Sequence, residues 1–288
     1  MQRHPLVPLV VAAALLCAGC SGESGPGPGS ESGGGAGSAR EAEKPGNASP
    51  SRSAVADHGA VVRAAVAATK KSSARIDERI EIGDGTTEYV VSIKGDFDWA
   101  GARGRLAVSL RNAATAGKTS PRMEEIFDGD TVYMGGFAEM EGSWGSIHRN
   151  RAEAHYVLRA PMNDPEHVLR QVALMRRISK VGEEAVNGAP AVHYRGVLND
   201  DAVTLRMAKD MRVKIDAARE QLGAITVYAD AWIDRDGRIV RTRLDWPMGA
   251  AGVRATMNLA DHGKPVRAKA PDPGKVVPMP NLGGPLPG

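Results

Sequence analysis

The spacing of apolar positions changes character along the chain. Between Val55 and Val66 they recur near every third or fourth place, which predicts a helix over 54–69 with Val55, Val62 and Val66 near one face. From Tyr89 the period falls to two. Tyr89, Val91, Ile93, Phe97 and Trp99 point one way, and Ser92, Lys94, Asp96 and Asp98 the other. The same alternation recurs in Leu106/Val108/Leu110, Val192/Tyr194/Leu198, Ile225/Val227/Ala229/Ala231/Ile233, Val240/Thr242/Leu244/Trp246 and Val253/Ala255/Met257/Leu259. Half-buried alternation predicts antiparallel strands, because parallel strands buried on both faces read as continuous apolar runs. The pairs Asp128-Gly129 and Asp236-Gly237 fall between alternating segments and predict hairpin turns. Two helices interrupt the strands. One has Asp164 as cap and Pro165 in its first turn, with Val168, Leu169, Val172, Met175 and Ile178 on its apolar face. The other runs from about Thr204 to Leu222 with Met207, Met211 and Ile215 on one side and Gly223 just past its end. Each helix needs an apolar surface to cover, and the dry face of the sheet is the large one available. The expected fold is therefore α+β: a curved antiparallel sheet, or half-barrel, with helices packed into its concave face and a gap between them.

The ends differ from this middle. Residues 1–20 read as an export signal, with Arg3 and His4 ahead of an apolar run. From Leu6 to Gly19 that run is shorter than the roughly 20 residues a spanning helix needs. Its last residues, Leu16-Cys17-Ala18-Gly19-Cys20, resemble a bacterial lipobox, with Cys17 where leucine is usual. The resemblance implies a signal peptide removed ahead of Cys20 and a lipid, such as palmitate, attached there. An ordinary cleaved signal peptide is the alternative. Residues 21–53 are Gly, Ser, Pro, Ala and Glu without apolar periodicity and predict a flexible tether. The Pro/Gly-rich stretch 271–288 predicts a disordered tail, which leaves 54–270 as the folded domain.

Composition narrows the chemistry. The 288 residues carry 37 Lys+Arg against 34 Asp+Glu, a net charge of +3 that offers no clustered positive face for nucleic acid. Both cysteines, Cys17 and Cys20, lie in the first 20 residues, so the rest of the chain has no thiol for a disulfide, a metal or a nucleophile. The seven histidines show no metal-binding spacing, and Asp234-Arg235-Asp236-Gly237 reads as a hairpin turn in place of a calcium loop, since no closing Glu follows. No nucleophile elbow, phosphate loop or dinucleotide fingerprint is present. His193 falls on the wet face of its strand. Adjacent carboxylates such as Glu124-Glu125 face opposite ways on a strand and read as solvated. No catalytic residue, metal or cofactor is expected, and an enzymatic role would need a cluster of buried carboxylates or histidines in a cleft. Met162, Met175, Met207, Met211 and Met257 suit either a core or a lining for variable contents. The candidates for lining a cavity are Val91, Ile93, Phe97, Val168, Val172, Met175, Met207 and Met211.

Three segments carry a further resemblance: His193-Tyr194-Arg195-Gly196, the stretch 231–241 from Ala231 to Arg241, and the closing stretch 257–266 from Met257 to Val266. Together with the lipobox, tether and first helix, they resemble the LppX/LprG-like lipoproteins of actinobacteria, which are similar in fold to the LolA/LolB carriers. The resemblance implies a half-barrel whose cavity takes acyl chains, with lipid attachment at Cys20 as the one function transferable to a named position. The function expected is a monomeric lipoprotein, anchored in the cell membrane through Cys20 and facing the extracellular side, that binds or carries a lipid or glycolipid. The alternative is a non-enzymatic cell-envelope interaction or sensor-accessory lipoprotein with a filled core.

Overall fold

The computed structural model describes residues 57–83, 88–112, 122–136, 140, 142–149, 164–205, 212–213, 216–217, 219–220 and 226–279. The signal segment 1–20 with Cys17 and Cys20, the tether 21–53, Met162, Met207, Met211 and residues 280–288 lie outside the described residues. By its contacts the chain divides after Ser53, and residues 54–288 form a unit of their own.

Helix α1 (His58–Thr69) is followed by β1 (Ser73–Gly83), β2 (Glu88–Asp98), β3 (Arg103–Asn112), β4 (Met123–Asp128), β5 (Thr131–Gly135) and β6 (Trp144–His148). After α2 (Pro165–Ala173) come β7 (Arg176–Val186), β8 (Ala189–Leu198), the single turn α3 (Asp200–Val203), β9 (Val227–Asp234), β10 (Ile239–Met248), β11 (Ala251–Ala260) and β12 (Val276–Pro278). These strands form one sheet in the order β12-β6-β5-β4-β3-β2-β1-β11-β10-β9-β8-β7. Neighbours are antiparallel except β12, which lies parallel to β6.

The antiparallel α+β class is as the alternation requires, but the expected curved half-barrel is not what forms. The sheet is open, with β12 at one edge and β7 at the other and no pairing between them. Period-two patterning fixes which side chains share a face and carries no information about curl, which needs bulges or glycine kinks repeated across a sheet. Here register shifts occur in the β7–β8 and β9–β10 pairs. Edge strand β7 is rich in charge (Arg176, Arg177, Lys180, Glu183, Glu184), which discourages pairing with another chain. Residues 273–278, inside the stretch expected to be a disordered tail, form a 3-10 turn capped by Asp272 and then β12. A parallel edge strand needs few donors, so Pro278 is tolerated there.

Both hairpin turns form as expected, with Gly129 and Gly237 at φ of 60° and 74°. Asp57 caps α1 by accepting from the Ala60 N–H at 2.9 Å, and Asp164 caps α2 by accepting from Glu166 N–H at 3.0 Å. Helix α2 is shorter than its apolar spacing suggests: it ends at Ala173 with Leu174 as its C-cap, so Met175 falls in the link and Ile178 in β7. Of the helix expected over 204–222, residues 212–213, 216–217 and 219–220 are helical.

One apolar cluster joins α1, α2, α3 and the dry face of the sheet. Thr69 Oγ1 donates to Ala65 O and accepts from the Ile239 N–H, both at 2.8 Å, which ties the end of α1 to the start of β10. Lys70 Nζ reaches Glu166 Oε1 at 2.9 Å and links α1 to α2.

Candidate functional site

The residues proposed to line a cavity divide by element. Val91, Ile93 and Phe97 stand on the dry face of β2, Val168 and Val172 on the inner side of α2, and Met175 just after it; all six are buried in the same apolar cluster. None but Met175 borders a described concavity. Between α2–α3 and β8–β11 lies a gap of about 20 Å³, lined by Gln171, Leu198, Val203, Val227, Leu244, Trp246, Val253 and Ala255. That is about the room one water needs, whereas ligand pockets hold roughly 300–1,000 Å³. Gln171, the polar exception in the lining, donates to Ala202 O at 2.8 Å and holds α3 against α2. A second concavity of about 760 Å³ opens on the outside, where Asp57, His58 and Arg63 of α1 face Ala173 to Ile178. Met175 belongs both to this cleft and to the core.

Two glutamates on the dry face depart from the sequence reading, which passes over Glu78 and takes Glu125 as solvated. Along β1, Ala74, Ile76, Ile80 and Ile82 face inward and Glu78 stands among them, 1 % exposed. Along β4, Glu125 faces inward between Met123 and Phe127 at 0 % exposure, while Glu124 turns out to meet Arg105 at 2.6 Å. Glu78 Oε2 and both carboxylate oxygens of Glu125 have no hydrogen-bond partner. Burial raises Glu78 from 4.5 to about 8. Burial also pushes Glu125 well above the usual carboxylate range, helped by the charges of Asp164 and Glu78. Glu78 is therefore a neutral acid near neutral pH. Leaving such a group unpaired costs about 1–3 kcal/mol. Glu125 reaches neither a nucleophile nor a histidine, so the pair is not arranged for acid–base work. Thr242 Oγ1, two strands from Glu78 across Met257, is likewise buried and unpartnered.

Elsewhere the chain satisfies its buried charges. Arg149 binds Asp164 through Nε and Nη2, at 2.9 and 2.6 Å, and Glu166 at 3.1 Å, with its guanidinium 5.3 and 5.4 Å from the Phe97 and Phe127 ring centres. On the outer face, His193 corrects the expectation of a solvated side chain. It is buried, stacked on Trp232 at 4.2 Å, and 2.6 Å from Asp230. Trp232 on the neighbouring strand supplies the cover that alternation within one strand does not disclose. Burial alone would raise Asp230, but hydrogen bonds from Arg195 and His193 and the charge of Arg243 hold it below the usual aspartate range. Among the described residues no group of three His, Cys, Asp or Glu could hold a metal ion, and no helix is long and apolar enough to cross a membrane.

No protein-family model matches the chain. An uncharacterized 31.2 kDa protein of Streptomyces griseus is 27 % identical over 157 residues, 52 % of this chain and 49 % of that protein. The aligned part thus spans about half the length of this curated relative. The chain is similar in fold to two mycobacterial proteins. LprF from Mycobacterium bovis aligns over 74 % of this chain and 96 % of its own at 14 % identity and a TM-score of 0.45. The lipoprotein LppX from Mycobacterium tuberculosis aligns over 73 % and 97 %, also at 14 % identity and a TM-score of 0.45.

Proposed function

We propose that the protein is a lipid-anchored, extracytoplasmic lipoprotein that binds or carries a lipid or glycolipid between the dry face of its sheet and the helices over it. The observation that carries this reading is the gap between α2–α3 and β8–β11, whose lining is apolar except for Gln171 and whose covers are helices of nine and four residues. A gap with room for about one water admits hydrocarbon only if α2 and α3 move off the sheet. Met175, shared by the outer cleft and the core, marks the way in, and a methionine adapts to such traffic. At about 0.8 kcal/mol per buried CH₂, a long acyl chain supplies roughly 10 kcal/mol of gross driving force to open the seam. In this reading Cys20 carries the lipid, 21–53 is the tether, and Val168 and Val172 belong to the helix that covers the gap. The domain works as a monomer on the extracellular side of the membrane.

Native mass spectrometry of residues 54–288, with titration of a fluorescent acyl probe, tests this. A co-purifying lipid, and roughly ten-fold weaker probe uptake in Met175→Trp, are the expected results. A protein that is always empty and takes up no probe would refute it. The smallness of the gap favours a second reading, a filled core in a cell-envelope interaction or sensor-accessory lipoprotein, and that negative outcome would favour it.

A further inference from the structure

The cleft of about 760 Å³ between α1 and the link from α2 to β7 has a charged part and an apolar part. Arg63 of α1 and Arg176 and Arg177 at the start of β7 bring three guanidinium groups to it, against the one carboxylate of Asp57. That carboxylate is already engaged, since it caps α1 through the Ala60 N–H at 2.9 Å and stands 3.6 Å from Arg63. Among the described residues no side chain pairs with the guanidinium of Arg176 or Arg177. Arg105, Arg243 and Arg254 on the sheet, by contrast, each hold a carboxylate at 2.6–3.1 Å. Arg177 also has a φ of 51°, in the left-handed region that glycine and asparagine favour, and strain of this kind gathers at binding sites. The apolar part of the lining is Ala173, Leu174, Met175 and Ile178. Leu174 is 42 % exposed, while Met175 continues from the cleft into the core.

We infer that this cleft receives the phosphate headgroup of an anionic amphiphile, whose hydrocarbon passes Leu174 and Met175 toward the core. The planar guanidinium fork matches phosphate oxygens two at a time, and no existing ion pair of Arg176 or Arg177 has to break for it to do so. The volume falls within the roughly 300–1,000 Å³ of ligand sites, room for a headgroup and the first carbons of its chain. An amphiphile with an uncharged head gains nothing from the arginines, so the cleft discriminates by head charge while the chain supplies the common part of the affinity. The inference rests on the proposed lipid-binding function and adds to it the class of headgroup.

The test uses residues 54–288 and two probes, pyrene-labelled dodecanol and its phosphate ester, which share one hydrocarbon. The quantity read is the ratio of their affinities, in which the contribution of the chain cancels. Wild type is expected to prefer the ester by at least about ten-fold, and Arg176→Gln/Arg177→Gln to lose about ten-fold of that ratio with binding of the alcohol retained. Arg122→Gln/Arg267→Gln removes the same charge from a separate concavity beside β2 and β3, and is expected to leave the ratio within about two-fold. Inorganic phosphate at about 1 mM, which lacks the chain, is expected to leave the preference within about two-fold as well. Wild-type binding of both probes without preference, or a ratio unmoved in Arg176→Gln/Arg177→Gln, overturns the headgroup site and leaves the lipid-binding reading standing. An equal fall in Arg122→Gln/Arg267→Gln overturns the site in favour of net charge, and a preference abolished by inorganic phosphate overturns it in favour of a site for the free anion. Wild-type protein that binds neither probe refutes the lipid-binding reading and the headgroup site with it.

Discussion

Replacing Glu78 by glutamine removes a titrating group while keeping its shape, and the consequence for stability follows from its burial. The folded protein binds the Glu78 proton up to about pH 8, whereas an unfolded chain releases it near 4.5. The raised folded-state value means that stability is fully present below pH 4.5 and is lost as pH rises toward 8. Each pH unit in that window costs about 1.4 kcal/mol, so at pH 7 the wild type is weakened by about 3 kcal/mol relative to a neutral group at the same place. Glu78→Gln should therefore be more stable than wild type at pH 7 by about 3 kcal/mol, with a smaller gain at pH 5 and a larger one at pH 8. Urea unfolding followed by tryptophan fluorescence at pH 5, 6, 7 and 8 gives the difference directly. A variant no more stable than wild type at pH 7, or a difference that does not grow with pH, would refute the claim that this carboxyl is buried and unpaired in the folded state.

Arg149→Ala should cost about 3–5 kcal/mol, because it leaves Asp164, 1 % exposed at its side chain, as an uncompensated buried charge; the double variant with Asp164→Asn should recover much of the loss in the same urea assay. Asp230→Asn should cost about 2 kcal/mol by weakening the anchorage of Arg195, Arg243 and His193. Because Asp230 sits below its ordinary 3.8 in the folded state, the stability it supplies is present above that pH and is lost below it; acid titration of unfolding should therefore show a transition in wild type that the variant lacks. Gly237→Ala, at φ 74° in the β9–β10 hairpin, should lower stability by about 1 kcal/mol in thermal unfolding without changing probe binding.

Much of the sheet is legible in the sequence because alternation is a local property. Strands β2, β3, β8, β9, β10 and β11 and the turns at Gly129 and Gly237 follow from residues within ten positions of one another. Strand β1 does not, and the reason bears on the site: Glu78 sits where an apolar residue would complete the run Ala74, Ile76, Ile80, Ile82. The residue that hides the strand is the one that gives the dry face its polar feature. Glu125 hides in a similar way, since two adjacent glutamates read as solvent-facing and nothing local reveals that one of them turns inward under Phe127 and Met123. The burial of His193 and the openness of the sheet depend on contacts between strands distant in sequence, Trp232 with His193 and β12 with β6. Spacing along the chain cannot report either. Of the expected cavity lining, the positions on β2 and α2 lie in the core as their patterns require. The gap itself lies between β8–β11 and the helices α2 and α3, a meeting of elements distant in sequence.

The central claim is that hydrocarbon enters between α2–α3 and the dry face of β8–β11. Photo-crosslinking with a diazirine-bearing palmitate, followed by peptide mapping, tests it most directly. The account predicts labels on Leu198, Val203, Leu244 and Trp246, lost on competition with unlabelled lipid. Labels confined to exposed residues such as Val181 and Val277, insensitive to competition, would contradict it.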